Sequence, residues 1–182
     1  MKKSINKGFT LVELLIVMVI LGILATIVAG SFMSSQEKAR DTRRKSDVQA
    51  VAKAIEVYFN DKGEYPASTN GELDISDCDA GETCTWGGGF IDANSTAYMI
   101  KLPEEKTSAR NYYYVTEGGQ NQTYAIYTRL ENDQDKDIPV NPVGEAYQYY
   151  NGTNCGAGFN GCNYAISSSN TSPESFFPLL DE

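Results

Sequence analysis

The sequence predicts an α+β chain, one long N-terminal helix packed on a small antiparallel sheet, and three observations lead there. Residues 9–33 form a 25-residue run that is apolar but for Glu13 and a few small hydroxyl residues. Beyond it Val48, Val51, Ile55 and Tyr58 recur at spacings of 3, 4 and 3, with Ala52 and Phe59 beside them, which is one apolar stripe on a helix. The last third carries tyrosine-rich runs separated by turn residues, as strands do.

A helix over residues 9–33 would cover roughly 37 Å at about 1.5 Å per residue, more than a hydrocarbon core of about 30 Å, so the run is long enough to span a membrane. It is too long for the apolar core of a secretory signal, about 7 to 15 residues. Gly22 and Gly30 interrupt it, each costing about 1 kcal/mol relative to Ala. Residues 34–63 read as the amphipathic half of the same helix, ended by Asn60-Asp61-Lys62-Gly63 and by Pro66. Arg40, Arg43, Arg44 and Lys45 make a basic collar with two open readings: contact with lipid phosphates or acidic neighbours, or a solvated face with helical pairs such as Asp41 and Lys45.

Residues 64–110 are rich in Ser, Thr, Gly and Asp and read as an irregular loop, with a short helix at "STAYMIKLP". Residues 111–182 read as an antiparallel sheet with C-terminal loops. "NYYYVTEGGQNQTYAIYTRLE" gives two strands around a Gly-Gly turn, "AYQYYN" a third and "NYAISSS" a fourth. Tyr124, Ile126 and Tyr127 break strict alternation and leave the facing of their strand open. Four cysteines allow three pairings, and the two sequence-local bridges, Cys78–Cys84 and Cys155–Cys162, close the smallest loops. Locally paired cysteines behind an export-like N-terminus point to an oxidising exterior.

Composition excludes several functions. The 182 residues hold 15 Lys+Arg against 24 Asp+Glu, for a net charge of -9, and from Glu72 onward 17 acidic side chains face five basic ones. A nucleic-acid partner is disfavoured, because phosphate neutralisation needs a basic face. Without histidine there is no Ser-His or Cys-His pair, no phosphate-binding or dinucleotide fingerprint appears, and the chain is read as a non-enzyme. Asp133, Asp135 and Asp137 stand at alternate positions, a density of hard oxygen ligands suited to calcium. They do not form an EF-hand loop, since Ile138 stands where it needs Gly and Gly144 where it needs Glu.

Glu13 is left to explain, because a lone carboxylate in a transmembrane helix costs at least about 2.5 kcal/mol and usually has a partner. The stretch "KGFTLVELLIVMVILGILA" resembles the class III signal of type IV pilins and pseudopilins: a basic leader ending in Gly, then Phe, then Glu four residues on. The resemblance implies a pilin fold, with residues 1–8 a leader cut by a prepilin peptidase after Gly8 and with methylation of the new amine on Phe9. That amine, supplied by a neighbouring copy, would neutralise Glu13 and set filament registry. The implied partners are copies of the chain itself, the peptidase, a platform membrane protein and an assembly ATPase. The implied location is a single-pass inner membrane precursor that becomes a surface filament.

"YFNDKGEYP", "AYMIKLPEE" and strands ending in "RLEND" also resemble the heads of minor bacterial pilins and of the major pseudopilin of type II secretion, and the second likeness supports calcium at the three aspartates. The reading favoured by the sequence is therefore a type IV pilus subunit for adhesion, motility or surface attachment. The alternatives are a type II secretion pseudopilin and a membrane-anchored binding protein for DNA uptake or glycan capture.

Overall fold

A computed structural model of the chain describes residues 8–78, 82–92, 94–105, 112–117, 119–140, 147–156 and 161–181, without the side chains of 27–31, 74–78, 82–83 and 181. It divides into two compact units, residues 1–39 and 40–182. Helix α1, Leu11–Lys62, supplies the described structure of the first unit and opens the second. Its 52 residues match the expected length, and neither Gly22 nor Gly30 interrupts it. Among the described residues no helix is long and apolar enough to cross a membrane. The expected 9–33 span includes positions 27–31, whose side chains lie outside the described residues.

At its end α1 follows the sequence signal. Gly63 takes φ +79 and its N–H donates to the Phe59 carbonyl at 2.8 Å, a left-handed cap for which glycine lacks a steric penalty. The segment expected to be irregular holds five strands: β1 (Ala67–Thr69), β2 (Glu72–Cys78), β3 (Glu82–Cys84), β4 (Phe90–Ile91) and β5 (Ala97–Met99). Strands β1, β2 and β3 form one antiparallel sheet. Asn70 at φ 52 and Gly71 at φ 85 make the two-residue turn between β1 and β2, the positive-φ pair that suits the twist of a hairpin. The expected helix at "STAYMIKLP" is instead strand β5, which pairs with β4; its Tyr98 ring packs on Tyr58 and Phe90, at 5.1 Å from each.

The second half builds two more sheets. Strands β6 (Tyr113–Thr116), β7 (Tyr124–Thr128) and β10 (Tyr164–Ser167) form the central one, in the order β10-β7-β6. Strands β8 (Gln148–Asn151), β9 (Gly161–Cys162) and β11 (Leu179–Asp181) form the other, in the order β11-β8-β9, with a 3-10 turn at Pro173–Ser175 before β11. The four sequence-read strands are thus β6, β7, β8 and β10.

Strand β7 explains the broken alternation, because all five of its residues are buried. Tyr124 and Ile126 join Val48, Val51, Ile55, Tyr58 and Tyr114 in the core beneath α1. Ala125 and Tyr127 join Tyr150, Cys155 and Cys162 in a second cluster, with Phe176, Phe177 and Leu179 against it. A central strand covered on both faces has no polar side to show.

The Cys155–Cys162 disulfide staples this second cluster as expected. Cys84 is also disulfide-bonded, while the side chain of its expected partner Cys78 lies outside the described residues. Gly161 sits so close to β8 that a Cβ there would meet the Tyr150 carbonyl oxygen, which explains a glycine at that point of β9.

Ile55 is fully buried, so Ile55→Ala should cost about 2–5 kcal/mol, read by urea unfolding of the full chain in detergent through the single tryptophan, Trp86. The turn between β4 and β5 is tied to the end of α1 by Lys62, whose Nζ donates to Asp92 Oδ2 at 2.7 Å; Asp92 Oδ1 accepts from the backbone of Asn94 and Thr96. The Lys62 bond, with the Thr96 N–H, holds the Asp92 carboxyl down at about 2. A depressed carboxyl contributes stability above its unfolded value of about 4, and that contribution disappears as pH falls through its folded value. The difference in melting temperature between wild type and Asp92→Asn should therefore be full at neutral pH and shrink from pH about 4 towards 2.

Candidate functional site

The first candidate site is the start of α1. Thr10 is the N-cap and Glu13 the third helical residue, and the two bond reciprocally. Glu13 Oε2 accepts from the Thr10 N–H at 2.8 Å and from Thr10 Oγ1 at 2.7 Å, while the Glu13 N–H donates to Thr10 Oγ1 at 3.2 Å. This is a capping box, which satisfies donors that a helix start leaves unpaired. Thr10 is the functional residue absent from the sequence expectations, although "TLVE" before an apolar run is the signature of such a box. Gly8 and Phe9 stand just ahead, outside the helix and exposed.

The second is the basic collar, where Arg44 and Lys45 turn inward while Arg43 stays exposed beside Asp47 on the same helix. Asp41 and Arg44 lie at spacings of 3 and 4 before Val48, on the same helix face as the apolar stripe, and both are buried. The Arg44 guanidinium donates to Asp41 Oδ1 at 2.7 Å, to Glu105 Oε1 at 2.8 Å and to Glu131 Oε1 at 2.7 Å. Burial alone would lower its pKa, but the bonds to Glu105 and Glu131 outweigh that and raise it. Arg40 adds a two-pronged pair with Glu131, at 2.9 and 2.6 Å. Asp41 in turn accepts from the backbone N–H groups of Glu131 and Asn132, at 2.8 and 2.9 Å, so helix side chains cap the loop that follows β7. The expected solvated pair of Asp41 with Lys45 does not form: Asp41 turns to Arg44, and Lys45 turns to the loop.

The three aspartates read as calcium ligands divide between two cations. Lys45 Nζ donates to Asp135 Oδ1 at 2.5 Å and to Asp137 Oδ2 at 2.6 Å, and Asp133 Oδ1 accepts from Arg129 Nη2 at 3.5 Å. Among the described residues no group of three or more acidic or cysteine side chains could hold a metal. Calcium needs six to eight oxygens around one point, and the oxygens nearest that point already hold an ammonium, so these residues do not fit a calcium ion.

Residues 3–29 match the prokaryotic N-terminal methylation motif, and residues 31–137 match the family described as type II secretion system (T2SS) protein G. The chain belongs to the T2SS protein G family. The T2SS core protein G of Escherichia coli K12 is 30% identical over 121 residues, 66% of this chain and 79% of that protein. Those of Pseudomonas aeruginosa and Aeromonas hydrophila are each 41% identical over 71 residues, 39% of this chain and 50% of theirs. The chain thus spans about half the length of these two curated relatives. No solved structure matches it.

Protein G is a structural pseudopilin within the type IV pilin-like proteins, not an enzyme. Membership therefore favours the secretion alternative over the surface pilus that the sequence pointed to first. The stretch matched to protein G contains Arg40, Asp41, Arg44, Lys45, Glu105 and Glu131; the Cys155–Cys162 bridge lies beyond it.

Replacing Arg44 by Met would leave Asp41, Glu105 and Glu131 facing one another without their shared cation. It should cost about 3–5 kcal/mol, a fall in melting temperature of roughly 10 °C. Arg44→Lys should recover little of this, because one ammonium cannot present the guanidinium's planar fork to three carboxylates. Circular dichroism melts of the full chain in detergent measure both.

Proposed function

We propose that the chain is a pseudopilin: a structural subunit anchored in the inner membrane by residues 9–33, cut after Gly8, methylated on Phe9 and polymerised into a type II secretion rod. The observation that carries this reading is the surface of α1 in the first unit. From Phe9 to Leu24 every large apolar side chain is more than half exposed, from 51% at Ile16 and Ile20 to 92% at Phe9. An apolar helix bare on all sides has two stable surroundings, lipid and other copies of itself. A subunit that passes from a membrane pool into a filament core meets both.

The role of Glu13 follows from its position. Its carboxylate accepts hydrogen bonds from Thr10, and removal of residues 1–8 would place a cationic amine on Phe9, immediately before Thr10. In a low-dielectric filament core an unpaired carboxylate is penalised far more than in water, so only registers that bring an amine to each Glu13 are tolerated. The acidic unit from Arg40 onward would then lie outside the cytoplasm, where the Cys155–Cys162 bridge is stable. The partners implied are the prepilin peptidase, the platform protein and ATPase that drive assembly, and other copies of the chain.

Mass spectrometry of the protein from its native membrane should find an N-terminus at methylated Phe9. The Glu13→Ala variant should be processed yet remain in the membrane pool, with no rods in sheared material and no export of folded proteins. A chain that still begins at Met1, or variant rods at wild-type abundance, rejects the proposal.

A further inference from the structure

The acidic loop after β7 carries a more specific message. It is polar and highly charged, and divides its three aspartates between two side-chain cations. Around Lys45 the geometry is that of a cation site. Two carboxylate oxygens approach Nζ at 2.5 and 2.6 Å, and the face of Tyr164 lies behind it, 5.5 Å from Nζ to the ring centroid. The Lys45 side chain is 18% exposed and that of Asp135 20%, so water shields this pair less than it would a surface pair. The loop is folded around the ammonium by its own backbone. The Asp137 N–H donates to Asp135 Oδ1 at 3.0 Å, the Ile138 N–H to the Asp135 carbonyl at 3.1 Å, and the Asp135 N–H to the Asn132 carbonyl at 3.0 Å. Ile138, buried at the end of the turn, anchors it in the core beneath α1.

We infer that Lys45 is the built-in cation of this loop: its ammonium, set between Asp135 and Asp137 and against Tyr164, stands where a divalent metal would have to sit, and latches the loop to α1 without metal. Calcium cannot be added to this arrangement as it stands. A metal that took the two carboxylate oxygens would have to displace the ammonium, and an ammonium left close by would repel it. The charge on Lys45 is secure: burial alone would lower its pKa, but the bonds to Asp135 and Asp137 outweigh burial and raise it. Asp135 is moved oppositely, because the Lys45 bond and the Asp137 N–H overcome the effect of burial and lower it. Removing the ammonium would leave two carboxylates facing each other across an open position. The loop would then have a use for calcium that the wild-type chain lacks.

The test compares melting temperatures of the full chain in detergent, in chelator and in calcium at about 1 mM, near the largest dissociation constants of extracellular calcium sites. Each calcium increment is taken relative to Asp135→Asn/Asp137→Asn, which subtracts any binding elsewhere. Wild type and Lys45→Arg should show no increment. Lys45→Met should melt about 5 °C lower in chelator and regain part of that loss in calcium. A wild-type increment overturns the inference, because the loop would then take metal despite the lysine. A Lys45→Met variant whose stability ignores calcium overturns it too, because the lysine would then be an ordinary ion pair. Should Lys45→Met fail to fold in chelator, calorimetry on the wild type decides. A saturable calcium heat that the double aspartate variant loses overturns the inference, and its absence supports it. None of these readouts involves processing or polymerisation, so they stand or fall separately from the pseudopilin reading.

Discussion

Arg44 must be neutralised where it is buried, and much of the folded unit is arranged around that requirement. Its side chain is only 3% exposed, and a guanidinium taken out of water is tolerable only when nearly all its donors find acceptors. Asp41 supplies one acceptor from the preceding turn of the same helix, Glu105 another from the segment before β6, and Glu131 a third from the loop after β7. Two distant parts of the chain are thereby fixed to one rotational position of α1. That position is the one that turns Val48, Val51, Ile55 and Tyr58 onto β6 and β7. The charged cluster adds specificity to packing that the apolar stripe drives, since misrotating the helix would strand both the stripe and the charge.

This also shows where the sequence was legible. The stripe is plain because apolar residues announce burial, and by apolar content it starts at Val48. Yet Asp41 and Arg44 continue the same 3-and-4 spacing toward the N-terminus, so the helix period alone places them on the buried face. Their polarity hid them. Their acceptors could not have been found in the same way, because Glu105 lies 61 positions and Glu131 87 positions from Arg44, and no local pattern encodes such a pairing. The pairing of Asp135 and Asp137 is hidden for the same reason: the density of aspartates suggests a metal, whereas the cation these two share is a lysine 90 and 92 positions earlier.

The strands divide by how much their identity depends on neighbours. Strands β6, β7, β8 and β10 were found from tyrosine and β-branched content, and the irregular facing of β7 resolves once both of its faces are covered. Strands β1 to β5 were missed as a group because they are short and lie in a polar segment, where composition favours a loop. One signal was available: Asn70-Gly71 is a hairpin dipeptide with a mechanism, and the structure uses it as a two-residue turn. Strand β5 could not have been read, since three residues that pair only with β4 have no pattern of their own to distinguish them from a helical turn.

The distribution of charge bears on how such a subunit could cohere with its neighbours. Arg40, Arg44, Lys45 and Lys62 each hold carboxylates within the folded unit, so the collar that seemed available to lipid or to adjacent copies is largely engaged at home. Surface ion pairs between copies would also be weak contributors, typically under about 1 kcal/mol each. Apolar area is the stronger resource, and the residues that expose it in bulk are those from Phe9 to Leu24. Apolar contact is not directional, however, and a helix apolar on every side could slide or rotate against its neighbours with little penalty. In the proposed filament a single carboxylate near the start of such a helix would supply what the apolar surface lacks, because a charge in low dielectric distinguishes one register from the next far more sharply than one leucine distinguishes itself from another.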